Sequence, residues 1–150
     1  MKKILMIVGS LRKGSFNKQL AEHIVDLIGD RAEVSFLEYA DMPFMNQDIE
    51  FPTPEPIARV REKIVAADGL WFVVPEHNNN MPAVVKNLID WLSRPFEENN
   101  PQAGKASADK KVTISGIGGA NKTAGSRTNL SNLCSFVGME VIDKNGCGIS

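Results

Sequence analysis

The chain is poor in cysteine and has no surplus of charge. Its only cysteines are Cys134 and Cys147 among 150 residues. They form no C-x-x-C and have no histidine pair nearby, so neither a zinc site nor a disulfide framework is expected. A reducing compartment, the cytoplasm, is the expected location. Lys and Arg number 17 against 18 Asp and Glu, which leaves a net charge of −1 and a sequence pI of about 6.1. That balance lacks the basic footprint that nucleic acid or an anionic membrane requires of its main partner. It also argues weakly against a dedicated electron carrier, which commonly docks its partners through a strongly charged face. No apolar run approaches the ~20 residues of a membrane span. Met1-Lys2-Lys3 followed by Ile4 to Val8 imitates the front of a signal peptide, but the run is short and ends in Gly9-Ser10-Leu11-Arg12. Internal repeats and low-complexity tracts are absent.

What is present is alternation. Residues 3–8 (KILMIV) form a short continuous apolar run closed by Gly9, the pattern of a parallel strand covered on both faces. Residues 15–29 then show helical spacing, with Leu20, Ala21, Ile24, Val25 and Ile28 on one side, Ser15 or Asn17 as cap and Gly29 as stop. Strands are predicted again at 33–37, 69–74, 111–115 and 140–143. Helices are predicted at about 54–67, 82–94 and 123–137, with Thr53-Pro54 starting the first of these and Gly138 ending the last. The 69–74 strand is apolar throughout and is placed at the centre. The segment 96–110 reads as a long polar loop without an apolar anchor.

Strands alternating with helices predict one α/β domain over residues 1–150. Its parallel sheet is doubly wound, with five strands in the order 2-1-3-4-5 and right-handed crossovers. In that order the helices after strands 1 and 3 leave on opposite faces, and a crevice opens beyond the strands' carboxyl ends.

Three unusual loops fall on that rim. After strand 1, the run 9–18 (GSLRKGSFNK) leads small hydroxyl residues into a helix N-terminus. Free N–H groups and the helix dipole favour an anion there, with Ser10, Ser15, Asn17 and Arg12 as donors. The run matches neither a Walker loop nor G-x-G-x-x-G; its plainer reading is ordinary capping. After strand 3, residues 75–82 (PEHNNNMP) offer polar groups between stiffening prolines; alone, an Asn-rich loop is more often a turn. His77 and Glu76 invite a catalytic reading, but a lone histidine in such a loop is more often structural, and the carboxylate is solvated by default. After strand 4, residues 115–121 (SGIGGAN) carry glycines that let backbone approach a flat ligand, or simply make a flexible turn. Together the loops suit an anion joined to a planar ring, the shape of a ribityl-phosphate flavin.

Gly9-Ser10-x-Arg12-x-x-Ser15-x-Asn17 resembles the phosphate loop of the NADPH-dependent FMN reductase family. The segment 75–95 (PEHNNNMPAVVKNLIDWLSRP) is similar to that family's signature P-E-Y-N, a proline, then K-N-x-I-D-W, matching at Lys86, Asn87, Ile89, Asp90, Trp91, Ser93 and Arg94. The resemblance covers residues 1–142 and is strongest over the first 95. It implies a flavodoxin-like fold that binds FMN, takes electrons from NADPH or NADH and passes them, by a ping-pong mechanism, to a flavin, quinone, azo or metal-oxyanion acceptor. It implies that Ser10, Arg12, Ser15, Phe16 and Asn17 hold the phosphate side. Pro75, Glu76, His77, Asn78, Ile117, Gly118 and Gly119 would hold the ring. The chemistry would belong to FMN, with no catalytic side chain and no metal. An FMN-binding carrier or sensor without nicotinamide turnover is the alternative. The resemblance further implies a homodimer, with the helix carrying Trp91 as its contact and apolar surface near Leu133, Val137, Val141 and Ile142 left to cover. The sequence departs from the family pattern in three places: His77 stands where tyrosine is usual, the 96–110 stretch is longer and more polar, and the family's last helix is expected to be absent.

Overall fold

A computed structural model describes residues 1–150. Five strands form the main path of the sheet: β1 (Lys3–Val8), β2 (Glu33–Phe36), β3 (Gly69–Val73), β6 (Lys111–Ile117) and β7 (Glu140–Val141). A hairpin, β4 (Pro95–Glu97) and β5 (Asn100–Lys105), precedes β6, and a last short strand, β8 (Cys147–Ile149), follows β7. The helices are α1 (Phe16–Ile28), α2 (Glu55–Ala66), α3 (Ala83–Leu92) and α4 (Ala124–Phe136). All lie within a residue or two of their predicted spans.

The sheet order is β2-β1-β3-β6-β7, with β8 also on β6 and every pairing parallel. This corrects the predicted five strands and their numbering in two places. First, the 96–110 stretch is not a bare loop. It is the antiparallel β4–β5 hairpin, turning at Asn99 in the left-handed region, with Asn100 Nδ2 donating to Glu97 at 2.9 Å. Both of its faces are largely solvated, so no apolar alternation announced it. Its anchor is also polar: buried Ser107 donates its hydroxyl to the Val137 carbonyl at 2.8 Å and its N–H to that of Leu92 at 3.1 Å. Second, the last strand is interrupted. β7 pairs with Lys111 and Val112, the chain loops out, and β8 resumes beside Ser115 to Ile117. Thr113 donates to Asp143 at 2.8 Å inside that loop, and Gly146 brings it back against β6. A Cβ on Gly146 would stand 1.8 Å from the Ile114 carbonyl oxygen.

The two-residue period of the central strands divides the core. Leu5, Ile7, Leu70, Phe72, Val112 and Ile114 face α2, α3 and α4 in a cluster of 21 buried residues. Met6 and Val73 face α1, where with Ala21 they form a cluster of only 3. α1 is the one helix on that face, and no helix follows β7. No helix is long and apolar enough to cross a membrane.

α3 explains the K-N-L-I-D-W run. Its Trp91 is fully buried and donates its indole N–H to the Pro43 carbonyl at 2.8 Å. Asn87 donates to the same carbonyl at 3.0 Å and accepts from the Met45 N–H at 2.8 Å. Arg94 clamps Glu50, 3% exposed, through two bonds of 2.7 and 3.0 Å. These residues pin the 43–50 loop to α3, and Trp91 is therefore unavailable as a subunit contact. Val137 is buried as well, whereas Phe136 and Ile142 are exposed, at 88% and 59%. Asn87→Ala is expected to destabilise the chain by about 1–3 kcal/mol, the effect of stranding buried polar partners. Urea unfolding at constant m-value measures it.

Candidate functional site

The site grows from the reversal of direction between β1 and β3. After β1 the chain turns onto the α1 face; after β3 it turns into α3 on the other face. Between them lies a crevice of about 610 Å³ at the carboxyl ends of the strands. That is the size of ordinary small-molecule sites. A larger groove, about 910 Å³, opens at the opposite rim among Lys2, Ile4, Ile28, Arg31, Trp71 and Ile142. It carries apolar sheet surface and scattered cations. No cluster of metal-ligating side chains exists anywhere in the chain.

The anion end of the crevice is the loop before α1. Gly9 starts it, donating its N–H to the Val73 carbonyl at 2.9 Å. A Cβ there would meet Val74 Cγ1 at 2.9 Å, so the loop leaves the sheet through a gap only glycine fits. Ser15 caps α1, its hydroxyl accepting weakly from the Lys18 N–H at 3.4 Å. The amides of Phe16 and Asn17 have no acceptor in the chain. Arg12 pairs with no carboxylate and rests 5.6 Å from the centroid of the exposed Phe16 ring. Asn17, 4% exposed, spends its amide on Ile117. It donates to that residue's carbonyl at 3.1 Å and accepts from its N–H at 3.0 Å. The start of α1 is thereby tied to the end of β6.

The wall from the loop after β3 is more apolar, with Pro75, Pro82, Ala83 and Val84 on it. α3 begins here after Pro82 without a side-chain cap, and the N–H groups of Ala83 and Val84 are also free. His77 completes the wall. No Asp or Glu lines the crevice.

Eight of the predicted site residues therefore meet in one place: Ser10, Arg12, Ser15, Phe16, Asn17, Pro75, His77 and Ile117. Four lie off the walls. Glu76 turns toward α4, where its carboxylate accepts from the Ser126 N–H at 3.0 Å and from the Asn121 side chain. Those bonds, Asn121 first, hold its carboxyl below the usual range. Asn78 sits at the tip of a tight reversal with φ 53. Gly118 donates its N–H to the Ile149 carbonyl at 3.0 Å, and Gly119 closes the next turn by accepting from Lys122 at 2.9 Å. Gly9, Leu11, Pro82, Ala83 and Val84 line the crevice without having been singled out. The Pro82 stop before a helix was the signal that could have pointed to the free amides of Ala83 and Val84. Neither cysteine offers a nucleophile here. Both are free, and burial pushes the Cys134 thiol up to about 12.

The profile of the family described as NADPH-dependent FMN reductase matches residues 2–150. The chain belongs to this family. It is 34% identical over 142 residues to a 2-hydroxy-1,4-benzoquinone reductase of a Burkholderia species, spanning 95% of this chain and 75% of that one. With the quinone reductase of Pseudomonas putida it shares 38% identity over 117 residues, covering 77% of this chain and 62% of the relative. Among solved structures, FerB, a flavoenzyme NAD(P)H:(acceptor) oxidoreductase of Paracoccus denitrificans, superposes with a TM-score of 0.86 at 28% identity. That match covers 97% of this chain and 79% of FerB. The likeness shows the same α/β fold, consistent with a flavodoxin-like architecture.

Asn17→Ala should cost about 1–3 kcal/mol of stability, because it leaves both backbone groups of Ile117 unpaired at the rim. Thermal melting of the ligand-free chain checks this.

Proposed function

We propose that the chain is an FMN-dependent oxidoreductase that takes electrons from NADPH or NADH and delivers them to a quinone or similar small acceptor. One observation carries the reading most directly. Two unpartnered amides at the N-terminus of α1, two serine hydroxyls and an unpaired Arg12 lie together on a crevice that no carboxylate lines. This is the donor set a phosphate requires, set beside an apolar slot suited to a ring. Family membership and the quinone-reductase relatives support the same assignment.

FMN, when bound, supplies the hydride chemistry between nicotinamide and acceptor. The chain's residues hold and orient it. The N–H groups of Phe16 and Asn17, the hydroxyls of Ser10 and Ser15 and the Arg12 guanidinium would receive the phosphate. Pro75, His77 and Ile117 would bracket the ring and leave one side of the crevice open. Donor and acceptor use that side in turn, which makes the kinetics ping-pong. The chain works as a homodimer in this reading, since Phe136 and Ile142 offer apolar contacts.

Purified chain should take up FMN, turn yellow and bleach on addition of NADPH or NADH. Yellow chain that stays yellow would instead mark a carrier or sensor. Arg12→Ala should weaken FMN about ten- to a hundredfold, the scale of hydrogen bonds to a charged group, with melting unchanged. Flavin fluorescence titration reads it. FAD should bind more weakly than FMN, because its AMP half needs an opening through the phosphate loop. His77→Tyr should keep FMN bound and leave turnover within about tenfold, ~1.4 kcal/mol of barrier, because the imidazole serves as wall rather than as acid or base. Light scattering at micromolar concentration should return twice the chain mass.

A further inference from the structure

Glu76 is one residue from His77, yet its carboxylate leaves the crevice and reaches α4. It accepts from the Ser126 N–H at 3.0 Å and from the Asn121 side-chain amide. α4 needs that acceptor because its own cap position fails. Thr123 sits at φ 57, ψ 27 and makes no capping bond. Its hydroxyl is packed against Gly116 and has no partner. A carboxylate 50 residues away in sequence does the work that a local Ser or Asp usually does.

The same junction holds the turn that follows. His77 and Asn80 exchange both backbone hydrogen bonds, at 2.9 and 3.1 Å, around Asn78 and Asn79 at φ 53 and 61. This is a two-residue reversal that is stiff in itself. Asn129 Nδ2 donates to the Asn79 carbonyl at 3.1 Å. Gly125 lies so close beneath that a Cβ on it would stand 2.0 Å from Asn79 Oδ1. The reversal is thus fastened to α4 through Glu76 on one side and Asn79 on the other, while His77 between them lines the crevice.

We propose that Glu76 is a positioning residue: by docking the β3 loop onto the N-terminus of α4 it sets the place of His77 in the crevice wall, and with it the fit of the acceptor. The proposal rests on the reading of the crevice as an FMN site with His77 on its acceptor side. The dock also determines which helix ends act on the ligand. The partial positive charge of α4's first turn is met by a carboxylate, so only α1 and α3 present theirs to the crevice. The ionised form is the one that docks, and its bonds depress the carboxyl, so the dock persists at neutral pH. It is lost only as pH falls through that lowered range.

The test uses Glu76→Ala, Glu76→Gln and Gly125→Ala in the full chain. Amide exchange without flavin is read first. Glu76→Ala and Gly125→Ala should cut protection at His77 and Asn80 by about tenfold relative to the sheet amides, the scale of a lost charge-assisted bond. Glu76→Gln should retain most of it, because its amide oxygen still accepts from Ser126. Lowering the pH should release the turn in the wild type but not in Glu76→Gln. In FMN-loaded protein, Glu76→Ala and Gly125→Ala should raise the quinone KM by about five- to twentyfold, more than they change kcat, with Glu76→Gln restoring it. Unchanged exchange at the turn overturns the proposal. So does a loss of protection spread evenly over the chain with KM unmoved, the result of a plain helix cap. If the wild type takes up no FMN, the functional reading falls while the exchange pattern still decides the dock.

Discussion

Three helices begin beside the crevice, and each brings backbone amides that must find acceptors. How those acceptors are allotted determines the site. A buried or half-buried N–H without a partner is destabilising by itself. α4 resolves the problem inside the chain, with Glu76 brought from β3. α1 resolves it in part, with Ser15 on Lys18, and leaves Phe16 and Asn17 open. α3 starts at Pro82, which has no side chain to offer, and leaves Ala83 and Val84 open. The open amides all face one space, and the absence of any carboxylate from its walls keeps that space attractive to an anion. Stability is conceded where a ligand can return it, and secured where none is needed.

Much of this was legible in the sequence, because the sheet is built on uninterrupted apolar runs and the helices on clean periodicity. KILMIV and GLWFVV read as buried strands and form them, and Gly29 and Gly138 end their helices with φ 58 and 92. What escaped notice was structure held by polar groups. The β4–β5 hairpin has no apolar face, and its closing anchor is the hydroxyl of Ser107. The break between β7 and β8 depends on Thr113 reaching Asp143 and on Gly146 lying against Ile114, contacts between segments that no local pattern announces. Even the start of α2 shifted, since Pro54 rather than Thr53 takes the cap position.

The site shows the same division. Residues chosen for chemistry that acts locally, the hydroxyls and the cation of the 10–17 loop, fell on the crevice. Those whose partners lie far along the chain did not behave as their neighbourhood suggested. Asn17 reads as a phosphate donor, but its amide closes a clasp on Ile117, 100 residues on. Glu76 reads as a ring contact or a solvated carboxylate, yet it caps a helix 50 residues on. Spacing within a motif cannot reveal a bond across the sheet; only the register of β1, β3 and β6 brings those ends together.

The unequal walls of the crevice also limit how a ligand can lie in it. Ser10, Arg12, Ser15 and the free amides of α1 come from the loop after β1; Pro75, Pro82 and Val84 come from the loop after β3 and the start of α3. A molecule carrying a dianion on a flexible arm and a flat heterocycle gains charge-assisted hydrogen bonds in one orientation and loses them in the reverse, while its ring leaves water only in the first. Orientation therefore follows from the polarity of the walls, with no need for a side chain that reads the ring atom by atom. That is consistent with a wall made of prolines and a histidine on a stiff turn. In the proposed reading such a wall would hold a ring by shape and leave its outer face open.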